Sequence, residues 1–199
     1  MTHLTRRAFF AGSVALSTLP AMPAFALTDK QAVGLINGMV AEINTIIEAV
    51  QKNRKSESAM FQDFERIFKK YGDTPRIAAT VLGTDARRAS NAQRKAFTDA
   101  FTGFIARKYG KQFRKFIGGD LQVKSVGPIP RGFQVKCQAD LQGSKPFDVV
   151  FFVLETNRFY NMHVDGVDLL QSEKTTIGSM LDARRGDIDA LISDLRSAS

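Results

Sequence analysis

Apolar residues recur at helical spacing through the first half of the chain, alternate with polar ones through a middle stretch, and return to helical spacing before the end. From Thr28, a suitable N-cap followed by Asp29, the positions Val33, Ile36, Met39, Val40, Ile43, Ile46, Ile47 and Val50 trace one aliphatic helix face. Phe61, Phe64, Phe68 and Tyr71 repeat the spacing in a second helix that stops near Gly72, and Pro75 opens a short third helix ending around Leu82 and Gly83. Ser90 caps a long fourth helix, predicted over residues 91–116. On its wheel Phe97, Phe101, Phe104, Ile105, Tyr109, Phe113 and Phe116 cover about half the circumference, wider than the usual apolar stripe of roughly 100°. Contact on more than one side of that helix is expected.

After Gly118 and Gly119 the period changes to two. Leu121 to Val123 opens a strand, and the glycines and prolines of residues 127–132 predict a turn. Phe133, Val135, Cys137, Ala139 and Leu141 then alternate with Gln134, Lys136, Gln138, Asp140 and Gln142, a strand with one wet face. Phe147 to Leu154 is apolar on both faces, as in the middle of a covered sheet, and Phe159 to Val164 forms the last strand. Ile177, Met180 and Leu181, then Ile188, Leu191, Ile192 and Leu195, restore the helical period. The expected fold is α+β: a curved antiparallel sheet of about four strands with several helices packed on one face, leaving room for an apolar cavity between the layers.

The N-terminus carries a different signal. Arg6 and Arg7 precede an apolar run from Ala8 to Leu19, and Ala24-Phe25-Ala26 forms an A-x-A cleavage site, the three parts of an export signal. Thr5-Arg6-Arg7-Ala8-Phe9-Phe10 also has the twin-arginine form. Residues 1–26 are therefore expected to be a cleaved signal peptide, and residues 27–199 one exported domain, since no repeat or low-complexity segment divides them. Arg6 and Arg7 are the only charged residues before Leu27, so cleavage lowers the formal net charge from +8 to +6. Cys137 is the sole cysteine, so no internal disulfide supports the fold.

The inventory for catalysis is thin. His163 is the one histidine beyond residue 26, and alternation sets it on the same strand face as Asn161 and Asp165. With no second histidine and one cysteine, metal clusters and Cys-His sites lack parts, so neither a metal nor another cofactor is expected. A cavity enzyme would have to use Asp165 or Asp168 as base with Tyr160 as donor. Gly118-Gly119 fits neither the P-loop nor the dinucleotide-binding pattern. A basic stretch that includes Arg94, Arg107, Lys108, Lys111, Arg114 and Lys115 would suggest nucleic acid in a cytoplasmic protein, but the export signal redirects it towards a solvated face, an anionic membrane or acidic partner, or a lipid phosphate.

Phenylalanine dominates the apolar inventory: the chain has 16, with no tryptophan. Each acyl methylene costs about 0.8 kcal/mol to expose, so a 16-carbon chain costs on the order of 12 kcal/mol and needs a carrier to cross water. Several blocks add a family resemblance. Leu82-Gly83, then Ala92-Gln93-Arg94, then Tyr160 to Val167 with its acidic-Gly-Val turn, then Gly186 to Ile192, follow the order seen in the MlaC or toluene-tolerance family, which this chain resembles from roughly Leu27 to Leu195. Ala86-Arg87 stands where that family has an aromatic, and Asp168 where it has a serine.

The resemblance implies a monomeric periplasmic carrier, not an enzyme. It would take phospholipid from one membrane complex to another, between an inner-membrane ABC transporter complex and an outer-membrane lipoprotein complex, and so maintain outer-membrane lipid asymmetry. A hopanoid or other polycyclic lipid is the alternative cargo. The lipid-facing residues expected on this basis are Val40, Ile43, Ile47, Phe97, Phe101, Phe104, Ile105, Val149, Phe151, Val153, Tyr160, Met162 and Val164. Arg107, Lys111 and Arg114 are the expected contacts to a head group or partner.

Overall fold

The computed structural model describes residues 27–113, 119–141 and 143–198; the expected signal segment 1–26, Arg114 and Phe116 lie outside them. Among the described residues the order is α1 (Asp29–Gln51), α2 (Glu57–Tyr71), α3 (Thr74–Leu82), a 3₁₀ turn (Gly83–Arg87), α4 (Asn91–Phe113), β1 (Asp120–Ile129), β2 (Gly132–Asp140), β3 (Phe147–Leu154), β4 (Arg158–Val164), β5 (Val167–Asp168), α5 (Leu169–Ala183) and α6 (Ile188–Ser197). The strands form one antiparallel meander in the order β1-β2-β3-β4-β5. The α+β expectation is met, with a fifth, two-residue strand added at one edge.

Local chemistry explains the boundaries. Thr28 and Gln31 form a reciprocal capping box at the start of α1, and Ser90 and Gln93 exchange the same pair of bonds before α4. Asp73, Asp168 and Asp187 accept backbone N–H groups at the starts of α3, α5 and α6. Gly110 lets α4 approach α2: a Cβ there would stand 2.8 Å from the Phe61 ring.

Two local expectations need correction. The six-residue turn predicted at 127–132 shrinks to Pro130 and Arg131, because Gly127 and Pro128 continue β1 opposite Gln134 and Phe133. β1 is the free edge of the sheet, the place where a proline without an N–H is tolerated. Among the described residues no other layer covers the second face of β3. Val149, Phe151 and Val153 are buried on the helix side, whereas Val150 and Phe152 on the other face are only half-buried. Phe152 is covered there by its own neighbours, with ring centroids 6.1 Å from Tyr160 and 4.6 Å from His163.

The helices gather on the face that carries Val135, Cys137, Val149, Phe151 and Val153. α1, α3 and α5 touch the sheet directly, and α4 sits against α2, α3 and α6. Among the described residues α1 alone is long and apolar enough to cross a bilayer, yet it lies against α2, β1 and β2 with Ala32, Ile36, Met39, Ile46 and Ile47 buried. Arg158 ties the sheet to the helices, since its guanidinium donates to the carbonyls of Lys69 (2.8 Å), Lys70 (3.1 Å) and Gly72 (3.2 Å) at the end of α2.

Candidate functional site

A cavity of about 290 Å³ lies between the helices and the sheet, near the lower end of the range of roughly 300–1,000 Å³ usual for small-molecule sites. Its wall is almost wholly apolar. α1 contributes Met39, Val40 and Ile43; α2 contributes Phe64, Ile67 and Phe68; α3 contributes Ile77 and Val81. From α4 come Phe101, Ile105 and Tyr109, three residues four apart and therefore stacked on one face. The sheet supplies Leu121, Val149, Phe151, Phe159, Tyr160, Met162 and Val164, and α5 supplies Leu169, Leu170 and Glu173.

A bulge shapes the sheet side. Between Phe152 and Val153 the register with β4 shifts, so that Phe152 pairs with Asn161 while Val153 pairs with Phe159. The extra residue is Tyr160, and atoms of both Phe159 and Tyr160 line the cavity although the two are adjacent in the strand.

Nine residues expected to face lipid line this cavity: Val40, Ile43, Phe101, Ile105, Val149, Phe151, Tyr160, Met162 and Val164. Ile47, Phe97 and Val153 do not; each is buried in ordinary packing, and Phe97 stacks on Phe101 with ring centroids 5.8 Å apart. Phe104 is partly buried away from the cavity, with the Lys108 ammonium 5.6 Å from its ring centroid. The wide apolar face of α4 thus divides into a cavity side and a packing side.

The basic residues also separate. Arg107 is not a free head-group contact: its guanidinium donates to the Leu195 carbonyl at 2.6 Å and the Ala198 carbonyl at 2.8 Å, closing the end of α6. Lys111 is exposed, and Arg114 lies outside the described residues.

Polar groups at the cavity are few and mostly occupied. The Asn161 carbonyl oxygen accepts from the backbone of Met162 (2.7 Å) and Leu170 (3.2 Å), and its amide donates to Asp168 at 3.0 Å. Glu173 is 5% exposed; its Oε1 accepts from Lys108 Nζ at 2.6 Å and from the Tyr109 hydroxyl at 2.5 Å. Burial first, and then the bond to Glu173, raises the Tyr109 hydroxyl well above the ordinary tyrosine range, so it stays a donor.

Sequence reasoning did not single out Glu173. A signal was present, because Glu173 falls on the stripe formed by Leu170, Ile177 and Leu181, an acid where the spacing calls for an apolar side chain.

Catalytic chemistry gains no support from the geometry. Asp165 sits with Gly166 in an exposed turn with φ of 49° and 78°, outside the cavity lining that includes Tyr160. Asp168 is committed to capping α5, and His163 Nε2 lies 3.4 Å from its second oxygen on the opposite face of the sheet from the cavity. Burial pushes the Cys137 thiol up to about 11, which leaves it inert. Among the described residues no group of three or more His, Cys, Asp or Glu side chains could hold a metal ion.

Comparison with known proteins agrees with this geometry. The protein-family model described as "MlaC protein" matches residues 38–197. Among solved structures, a phospholipid-binding protein from Ralstonia solanacearum, in complex with a phospholipid, shares the fold with a TM-score of 0.71. The two are 17% identical, and the match covers 84% of this chain and 96% of that one. No curated protein sequence matches the chain significantly.

Proposed function

This chain belongs to the MlaC family, and from that premise we propose that it is a periplasmic phospholipid carrier that holds acyl tails in the cavity between helices and sheet. The observation that carries the reading is the cavity itself: an almost continuous apolar wall drawn from five helices and the sheet. Acyl chains fit such a wall because transfer from a bilayer into a dry apolar slot exchanges one hydrocarbon surrounding for another, so loading and unloading stay nearly balanced. The phospholipid held by the similarly folded Ralstonia protein supports the same cargo here. Residues 1–26 act as the export signal, and the mature chain works as a monomer rather than as an enzyme.

The carrier receives lipid from one membrane complex and releases it to another, an inner-membrane ABC transporter complex and an outer-membrane lipoprotein complex, and so serves the lipid asymmetry of the outer membrane. Exposed Lys111 is available for contact with a partner or an anionic membrane surface. A transfer assay tests the reading. Donor vesicles holding a fluorescent phospholipid are separated from acceptor vesicles by a protein-permeable barrier, and the mature chain is expected to raise the rate at which label crosses. Label that crosses no faster with the protein than without it would refute the carrier role.

A further inference from the structure

Resting on the carrier reading, we propose that Glu173 selects among lipids by accepting a hydrogen bond from an O–H or N–H group of the cargo. Glu173 lines the cavity, its side chain is 5% exposed, and both donors that reach it converge on one oxygen, Oε1. The second oxygen, Oε2, is buried and has no hydrogen-bond partner among the described residues. An ionised carboxylate accepts through both oxygens, and leaving one buried without a donor is unfavourable. Among the described residues no side chain of the wall reaches Oε2, and the Asn161 amide is taken by Asp168.

A cargo with a donor supplies what is missing. Acyl chains and their ester groups carry none, so the donor must come from a head group or from a hydroxylated chain. Either source would present the same donor chemistry to Oε2, whose carboxylate is 5% exposed and held on its other oxygen by Lys108 and Tyr109. Ethanolamine and glycerol head groups carry N–H or O–H donors. Choline, whose nitrogen is fully methylated, carries neither.

Competition for the mature protein among vesicle lipids with identical acyl chains tests this, with bound lipid read by mass spectrometry after extraction. The four lipids are phosphatidylethanolamine, phosphatidylglycerol, phosphatidylcholine, and a phosphatidylcholine with one hydroxylated chain. A charge-assisted hydrogen bond predicts roughly tenfold enrichment of donor-bearing lipids over plain phosphatidylcholine. Enrichment of the ethanolamine and glycerol lipids assigns the donor to the head group; enrichment of the hydroxylated lipid alone assigns it to the chain. In E173Q the amide oxygen keeps the Lys108 and Tyr109 bonds while the NH₂ replaces Oε2 and offers a donor, so the preference should vanish or reverse. Equal uptake of all four lipids, or a preference that E173Q leaves unchanged, overturns the inference and leaves the carrier reading standing. Uptake of none overturns both.

Discussion

Asp168 shows how much one side chain organises at the junction of sheet and helix. Its Oδ1 accepts from the Gln171 N–H and the Asn161 amide, both at 3.0 Å, and its Oδ2 lies 3.4 Å from His163. Burial alone would raise its carboxyl, but the Gln171 and Asn161 bonds and the His163 charge together hold it below the usual carboxylate range. A depressed pKa contributes stability above the unfolded value, about 3.9, and loses it as pH falls through the folded value. The melting temperature should therefore drop below about pH 4, and drop less steeply in Asp168→Asn than in the parent chain. At neutral pH, Asp168→Ala removes the α5 cap and should cost about 1 kcal/mol in urea unfolding. Family resemblance marks this residue as a departure from serine; either side chain can cap a helix, and Asp168 does so here.

At the scale of elements, α4 was the most legible and also the most misleading. Its apolar breadth correctly predicts contact on several sides, but periodicity cannot tell a residue that borders a cavity from one that packs against a neighbour, since both are apolar. Phe101, Ile105 and Tyr109 face the cavity, while Phe97, one turn before Phe101, is buried outside it and stacks on the Phe101 ring. The bulge at Tyr160 was invisible for a related reason: it is set by the pairing of β3 with β4, and nothing in the alternation of either strand alone announces it. The capped starts of α1 and α4 were readable because the Thr28 and Ser90 side chains act within their own segments. Ile105 is only half-buried, so Ile105→Glu should leave the fold intact by circular dichroism and yet lower bound phospholipid several-fold, whereas Lys111→Glu on the exposed side of the same helix should change retention little.

For the whole molecule, the cavity is a consequence of how the layers meet. α1, α3 and α5 rest on the sheet, and α2 and α4 reach over the space between them, so the wall is closed by side chains from five helices and from β1, β3 and β4. Such a cavity couples cargo to stability: a ligand present at 100 times its dissociation constant stabilises the folded state by about 2.7 kcal/mol. Stripping lipid under mild detergent should accordingly lower the melting temperature, and adding phospholipid back should restore it. The most direct test of the carrier reading is native mass spectrometry of the exported chain, purified without detergent. The account predicts a population heavier than the polypeptide by the mass of a phospholipid, released as such on activation; a chain that emerges empty and stays empty after incubation with labelled vesicles would contradict it.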